Sequence, residues 1–213
     1  MNYESNITIL NSNNKISYDL YSLITVKAIN AMEKISGFFN VSDIDVTITS
    51  AYGEKIPTGI GGYSLSPFRV EILLDCERKD LASIVEEELA SVLAHEIHHC
   101  ARTRIYGVEE TLADNIITEG LACFFERNFN GGNPPSFLKE MNDKRWMDIY
   151  SEMNKMLKED SFCFETYFLG KDESQYAKYS GYLVGYNLVK LKANELNLND
   201  SQLLKLSVED FLI

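Results

Sequence analysis

The amino-acid sequence predicts an α+β fold with a small N-terminal β-sheet, a long helix beside it and a mainly helical remainder. Three observations support this class. β-Favouring runs occur only in about the first 75 residues, apolar residues recur at helical spacing over residues 15–39, and helical patterns cover most of the chain after residue 80. Strands and helices that occupy separate parts of a chain are typical of α+β proteins.

The strands are expected in the first third of the chain. Ile7–Leu10 and the run around Val46 and Ile48 favour β-structure, and residues 15–39 between them form an amphipathic helix. The glycine-rich stretch from Gly59 to Gly62 is predicted to be a loop between two strands, and the run from Val70 to Leu74 is the strand that follows it.

The rest of the chain is expected to be helical. The periodic segments are residues 80–103, 109–128, 136–158 and 173–197, followed by a short tail helix. The breaker cluster at residues 130–135 marks either a boundary between lobes or a loop inside one domain. The length predicts one domain over residues 1–213, with residues 1–104 as an optional N-terminal α/β lobe and 105–213 as a C-terminal helical lobe.

Composition and charge exclude several classes of protein. The formal net charge is −12 and no cluster of Lys and Arg is present, so we expect no nucleic-acid partner. No apolar run approaches the roughly 20 residues of a membrane span, and the sequence MNYESNITIL does not resemble a secretion signal. We therefore expect a cytoplasmic protein with no membrane partner, whose four cysteines, lacking C-x-x-C spacing, are free thiols.

The helix predicted over residues 81–102 carries the pattern H-E-x-x-H. At about 100° per residue, His95 and His99 lie about 40° apart, so both imidazoles can bind one cation from successive turns. Glu96 lies about 100° away, where it can reach a metal-bound water without joining the ligands. His98 lies on the opposite flank and is expected at the surface or behind the ligands. The pattern predicts one Zn²⁺ per chain, bound by His95 and His99, with Glu96 as general base.

A catalytic zinc usually has three protein ligands, and the three histidines of this chain all lie within the motif. The third ligand must therefore be a carboxylate or a thiolate. Glu119, on the next predicted helix, is the preferred residue, because Gly120 beside it would let this helix approach the motif helix closely. Glu126 and, less favoured, Cys123 on the same face are the alternatives.

These residues resemble a known family. His95-Glu96-x-x-His99 followed by Glu119-Gly120-Leu121-Ala122 is similar to the gluzincin metallopeptidases, and in detail to a bacterial family of predicted zinc-dependent proteases. The likeness extends from the glycine stretch at residues 59–62 to Gly181-Tyr182-x-x-Gly185-Tyr186. It implies a zincin-like remainder, Glu119 as third ligand, peptide or protein substrates, and the strand near residues 70–74 as the edge strand that pairs with substrate backbone.

The chain departs from the gluzincin pattern at one position. Many gluzincins carry an acidic residue four positions after the third ligand, where it orients a motif histidine, whereas this chain has Cys123. Asp114 or Glu126 is the alternative for that orienting role.

The predicted chemistry is hydrolysis of a peptide bond. Zn²⁺ lowers the pKa of its bound water and polarises the scissile carbonyl, while Glu96 takes the proton and passes it to the leaving amine. With every histidine assigned, a tyrosine is expected to stabilise the oxyanion. Tyr182 is the first choice, Tyr186 the second and Tyr179 the third, all on one face of the helix predicted over residues 173–197.

Other interpretations stay open at the sequence level. If no tyrosine stabilises the oxyanion, the next donors to consider are Arg102, Arg104 and Arg127. The main alternative to a peptidase is a metal-binding pseudoenzyme or a regulatory or structural zinc module, although a purely structural site has no use for Glu96. Hydrolysis of a non-peptide amide is a further alternative.

Overall fold

The computed structural model of the chain describes residues 6–39, 43–53, 55–140 and 145–213. The fold is α+β, with a four-stranded sheet near the N-terminus and a helical remainder, which confirms the predicted class. The chain divides into two compact units, Met1–Arg104 and Ile105–Ile213. The prediction that residues 1–213 act as a single domain stays a prediction.

The first unit is built from a β-α-β start, a hairpin and the helix that carries the motif. Its elements are β1 (Ile7–Leu10), α1 (Tyr18–Ser36), β2 (Asp45–Ser50), β3 (Ile60–Ser66), β4 (Arg69–Leu74) and α2 (Leu81–Tyr106). Helix α1 begins after Ser17, whose hydroxyl accepts a hydrogen bond from the backbone N–H of Leu20. The predicted strands at both ends of α1 and the predicted helix itself are confirmed.

The sheet order is β1-β2-β4-β3, with the first three of these strands parallel and β3 antiparallel to β4. Two predictions are wrong here. Gly61 and Gly62 lie within β3 rather than in a loop, because their strand is held by hydrogen bonding to β4 and not by its own β propensity. The run from Val70 to Leu74 is an interior strand, so in the described part of the chain the edge beside α2 is formed by β3 instead.

One face of the sheet forms the core of this unit. Alternate residues of β2 and β4 are almost completely buried, as expected when one face of a sheet is covered by helices. Helix α1 contributes Ile24, Ala28, Ala31 and Ile35, whose spacing of three and four residues places them on one stripe. An ion pair between Lys27 of α1 and Glu86 of α2 connects the two helices.

The second unit is helical. Its elements are α3 (Leu112–Phe129), α4 (Ser136–Glu140), α5 (Trp146–Met153), a 3₁₀ turn (Asn154–Met156), a π-helical turn (Glu165–Leu169), α6 (Ser180–Leu196), α7 (Asp200–Leu203) and a final 3₁₀ turn (Val208–Asp210). The helix predicted over residues 136–158 is therefore not continuous in its described part, and residues 141–144 lie outside the described residues. The helix predicted from residue 173 begins only at Ser180, because Tyr179 adopts a left-handed backbone with φ of 69°.

Helices α3 and α6 cross at two glycines. A Cβ atom on Gly120 would lie 2.2 Å from the backbone carbon of Gly185, and one on Gly185 would lie 2.0 Å from the carbonyl oxygen of Ile116. These distances are far inside van der Waals contact, so only glycine permits this crossing. Gly120 thus allows α3 to pack closely against α6. The expectation that it allows α3 to approach the motif helix is corrected.

The breaker cluster at residues 130–135 is a loop inside the second unit and not a boundary between units. Gly131 and Gly132 adopt positive φ values of 63° and 94°, which glycine tolerates best. Among the described helices, none combines the length and the apolar character that crossing a membrane requires. Residues 1–5, on which the expectation about a secretion signal partly rests, lie outside the described residues.

Candidate metal and active site

Helix α2 presents the two motif histidines on one side. Their ring centroids are 4.8 Å apart and the rings are inclined at 66°, the arrangement expected for residues one turn apart. His99 is buried and His95 is half-buried. Leu81 and Val85, which the helical repeat places on the same side of α2, are buried as well. Helix α2 therefore holds both imidazoles on a face that is turned toward the protein interior.

Glu96 lies against the edge strand of the sheet. Its carboxylate group packs on Gly62, where a Cβ atom would lie 2.5 Å from Cγ and 2.8 Å from Oε1 of Glu96. The side chain is only 8% exposed, which is unusual for a carboxylate. The Glu96 side chain therefore points from α2 toward β3, where it packs closely against Gly62.

Two further residues of α2 bind the end of the same hairpin. The Cys100 thiol donates to the carbonyl oxygen of Ser66 at 3.3 Å, and the Arg104 guanidinium donates to the carbonyl oxygen of Pro67 at 2.8 Å. Together with Glu96, these residues are spaced four apart and form one face of the helix. This face anchors α2 along β3, which restricts how far Glu96 can move.

Burial also fixes the state of the Cys100 side chain. It raises the pKa of the thiol to about 12, and the neighbouring Glu96 carboxylate acts in the same direction. Cys100 therefore stays a neutral thiol near pH 7 and is a poor metal ligand, since thiols bind metals as thiolates.

His98 does not lie at the surface, where it was expected as one option. Its side chain is 1% exposed, and its ring meets the ring of Phe39 edge-on at 5.5 Å between centroids. Burial first, then the neighbouring imidazoles of His99 and His95, lower the pKa of His98 well below its usual value. His98 is a neutral residue packed behind the two histidines that share a face.

Glu119 is the acidic residue that groups with the two histidines. The ligand atoms of His95, His99 and Glu119 lie within 4.8 Å of one another, so these three residues could hold a metal ion. The competing residues Glu126 and Cys123 are both buried on the same helix. Neither belongs to a three-residue group of this kind among the described residues. The assignment of His95, His99 and Glu119 as ligands, with Glu96 as base, stays a prediction.

Asp114, one of the two alternatives for orienting a histidine, caps helix α3. Its Oδ2 atom accepts hydrogen bonds from the backbone N–H and the hydroxyl of Thr111, both at 2.8 Å, while its own N–H donates to the Thr111 hydroxyl. This reciprocal pair is a capping box at the start of α3. The choice between Asp114 and Glu126 for the orienting role stays a prediction.

The three tyrosines do not share one helix face as predicted, because Tyr179 precedes α6. Tyr182 is half-buried and meets the rings of Phe137 and Phe168 edge-on, both at 5.2 Å between centroids. Tyr186 is buried beside Phe124, and this burial raises the pKa of its phenol. The packing against Phe137 and Phe168 explains why an aromatic ring is present at Tyr182. The role predicted for its hydroxyl stays a prediction.

Two of the arginines considered as oxyanion donors are engaged within their own units. Arg104 pairs with Asp43 at 2.8 Å and stacks over the ring of Phe68 at 4.5 Å. Arg127 donates to Asn128 at 3.2 Å and lies over the ring of Phe124. Arg102 is almost fully buried. Moving Arg104 onto a substrate would therefore break contacts that anchor α2 to the hairpin.

Sequence reasoning missed Gly62 as a residue of the site. The glycine stretch is expected to be a loop, and nothing local in it indicates that Gly62 leaves space for Glu96. The available signal was the glycine pair that lies between Gly59 and the β-favouring run beginning at Val70, since glycine inside a strand often marks a close approach.

One of the comparisons with known proteins gives a match. A family model described as "Predicted Zn-dependent protease (DUF2268)" matches residues 25–213. Neither the curated proteins nor the solved structures give a match. The matched segment includes the whole motif helix and all of the second unit, which is most of the sequence. The chain therefore belongs to this family of predicted zinc-dependent proteases.

Proposed function

We propose that the protein is a zinc peptidase of the gluzincin type, which hydrolyses peptide bonds with Glu96 as general base. The observation that carries the proposal is the arrangement on α2, where two imidazoles share one face and the carboxylate beside them is buried against the sheet edge. A structural metal site has no use for such a carboxylate. The family description is consistent with this function.

The donor set fits zinc. His95 and His99 supply imidazole nitrogens and Glu119 a carboxylate oxygen, a combination typical of catalytic zinc sites that leave one position for water. We therefore propose one Zn²⁺ per chain, bound by these three residues. When bound, the metal supplies a Lewis acid that polarises a carbonyl and makes water more acidic.

The protein's own residues perform the proton transfers. Glu96 accepts a proton from the attacking water and returns it to the amine nitrogen as the C–N bond breaks. Its burial keeps the carboxylate away from bulk water, where hydration would weaken it as a base. The Tyr182 hydroxyl donates to the oxygen that gains negative charge in the transition state.

The proposed substrate is an extended peptide that pairs with β3. This strand is at the sheet edge in the described part of the chain, and Glu96 contacts it at Gly62. An added strand forms main-chain hydrogen bonds that do not depend on sequence, which suits a peptidase. We propose peptide or protein substrates and a cytoplasmic location, and we expect no nucleic-acid partner because of the net charge of −12.

The experiment that tests this function compares two glutamate variants of α2. The protein is loaded with Zn²⁺ and incubated with unfolded casein, and new peptides are identified by mass spectrometry. Glu96→Gln keeps the shape of the side chain but cannot accept a proton, so turnover should fall by about 10² to 10⁴. Glu87→Gln, on the exposed face of the same helix, should retain wild-type turnover.

Zinc content separates the possible failures of this test. The Glu96→Gln variant should bind as much zinc as the wild type, because Glu96 is not a ligand in the proposed site. Undiminished turnover by this variant would refute the mechanism. Loss of zinc from it would make Glu96 a ligand and would refute the proposed ligand set.

A further inference from the structure

Gly62 is an unexpected residue for its position in the sheet. It lies inside β3, where its register partner is the buried Ile72 of β4. Glycine weakens a strand because it adds no side chain to the packing and loses much conformational freedom on folding. A residue with a side chain would therefore be expected here, unless the space itself is needed.

The backbone of Gly62 does not explain the choice of glycine. The described glycines with positive φ include Gly59 in the preceding turn but not Gly62. Its neighbour Gly61 also has no such requirement, and a Cβ on Gly61 would lie 3.8 Å from Ile56, which is ordinary contact. What distinguishes Gly62 is the side chain that occupies the place of its missing Cβ.

That side chain is Glu96. The three nearest atoms to a Cβ on Gly62 all belong to it, namely Cγ at 2.5 Å, Oε1 at 2.8 Å and Cδ at 2.9 Å. Because these atoms form the end of a side chain, the carboxylate can move when a methyl group is added, whereas the backbone need not. A methyl group at this position is therefore predicted to displace the carboxylate and leave the fold in place.

We propose that Gly62 is a positioning residue for the general base. Because Gly62 has no side chain, it leaves the space on β3 that the Glu96 carboxylate occupies. This inference rests on the proposed function, because it concerns the group that takes the proton. Helix α2 cannot shift along the strand to relieve the contact, since Cys100 and Arg104 tie the same face of α2 to the hairpin, so the Glu96 side chain itself must move. A misplacement of about 1 Å at a reacting group can cost about 10² in rate.

The test uses Gly62→Ala with Gly37→Ala as the control, a glycine at the end of α1 with an ordinary φ of −72° that lies outside both β3 and α2. On casein peptides that the wild type cleaves, kcat of zinc-loaded Gly62→Ala should fall by about 10², with KM and zinc content little changed. Gly37→Ala should retain wild-type kcat and KM. Wild-type kcat in Gly62→Ala, or an equal loss in Gly37→Ala, would overturn the proposal.

A double-mutant cycle gives a readout that does not need activity. The thermal melting temperatures of the wild type, Gly62→Ala, Glu96→Ala and the double variant are compared without metal. Gly62→Ala should lower the melting temperature in the wild type but not in the Glu96→Ala background, where the obstructing atoms are absent. An equal loss in both backgrounds would overturn the proposal, because the methyl group would then disturb something other than Glu96.

The two readouts distinguish this inference from the proposed function. If the wild type hydrolyses no peptide, the proposed function fails, and the melting cycle alone decides whether Gly62 sets the place of Glu96. If Gly62→Ala does not fold, the Gly62→Ala, Glu96→Ala double variant shows whether the Glu96 side chain is the obstacle to the added methyl group. Recovery of a folded protein in the double variant supports the proposal, and failure of the double variant to fold overturns it.

Discussion

At the scale of single residues, Tyr182 has two separable properties, its ring and its hydroxyl. The ring packs edge-on against Phe137 and Phe168, and Tyr182→Phe leaves that packing intact. If the hydroxyl stabilises the oxyanion, kcat should fall by about 10² to 10³ while the melting temperature and the zinc content stay unchanged. Steady-state kinetics on a cleaved peptide, with melting recorded alongside, provides the measurement.

Tyr186→Phe is the control for this prediction. Tyr186 is buried, and this burial raises the pKa of its phenol. A buried hydroxyl is poorly accessible to a substrate. The variant is expected to change the melting temperature more than kcat. If Tyr186→Phe loses turnover and Tyr182→Phe does not, the donor lies one helical turn further along α6.

The residues that could be predicted from the sequence are those whose relation is local. His95, Glu96 and His99 lie on one helix, so the helical repeat alone gives their directions. The roles of Gly62 and His98 could not be derived in this way. Gly62 meets α2 through folding of distant segments, and His98 is buried by Phe39, which lies far from it in sequence.

At the scale of elements, the crossing of α3 and α6 depends on Gly120 and Gly185. Alanine at Gly120 should favour the helix by about 1 kcal/mol, but its methyl group would meet the backbone of α6. Backbone cannot move aside as a side chain can. We therefore expect Gly120→Ala and Gly185→Ala to lower the free energy of unfolding by about 1–3 kcal/mol each, in spite of the helix propensity.

Urea unfolding followed by circular dichroism measures this effect. Gly61→Ala is the control, because its methyl group meets only ordinary contacts and should change the free energy of unfolding by less than about 1 kcal/mol. Wild-type stability in both helix variants would contradict the close crossing.

Elements with strong patterns were predictable, and those defined by long-range contacts were not. The buried stripe of α1 and the β-favouring runs of β1, β2 and β4 gave correct predictions. Strand β3 was missed because glycine has low β propensity, yet pairing with β4 stabilises it. The start of α6 was misplaced because the left-handed Tyr179 interrupts a pattern that reads as helical.

At the scale of the whole molecule, the positions of β-favouring runs and helical patterns along the sequence predicted the α+β class, because strands and helices occupy separate parts of the chain. The sheet order β1-β2-β4-β3 was not predictable, since pairing between distant strands leaves no local pattern. The edge strand that the family resemblance implies, near residues 70–74, is the interior strand β4 in the structure. Strand β3, which Glu96 contacts, lies at one edge of the sheet in the described part of the chain.

The most direct test of the proposed metal centre is a zinc titration of the wild type, His99→Ala, Glu119→Ala and Glu126→Ala, with a competing chelator to measure affinity. We expect one Zn²⁺ per wild-type chain, no specific binding by His99→Ala, and a far weaker complex for Glu119→Ala than for Glu126→Ala. Loss of a residue that only supports a ligand typically costs about 10- to 100-fold in affinity. Full zinc occupancy in His99→Ala, or weaker binding by Glu126→Ala than by Glu119→Ala, would contradict the proposed site.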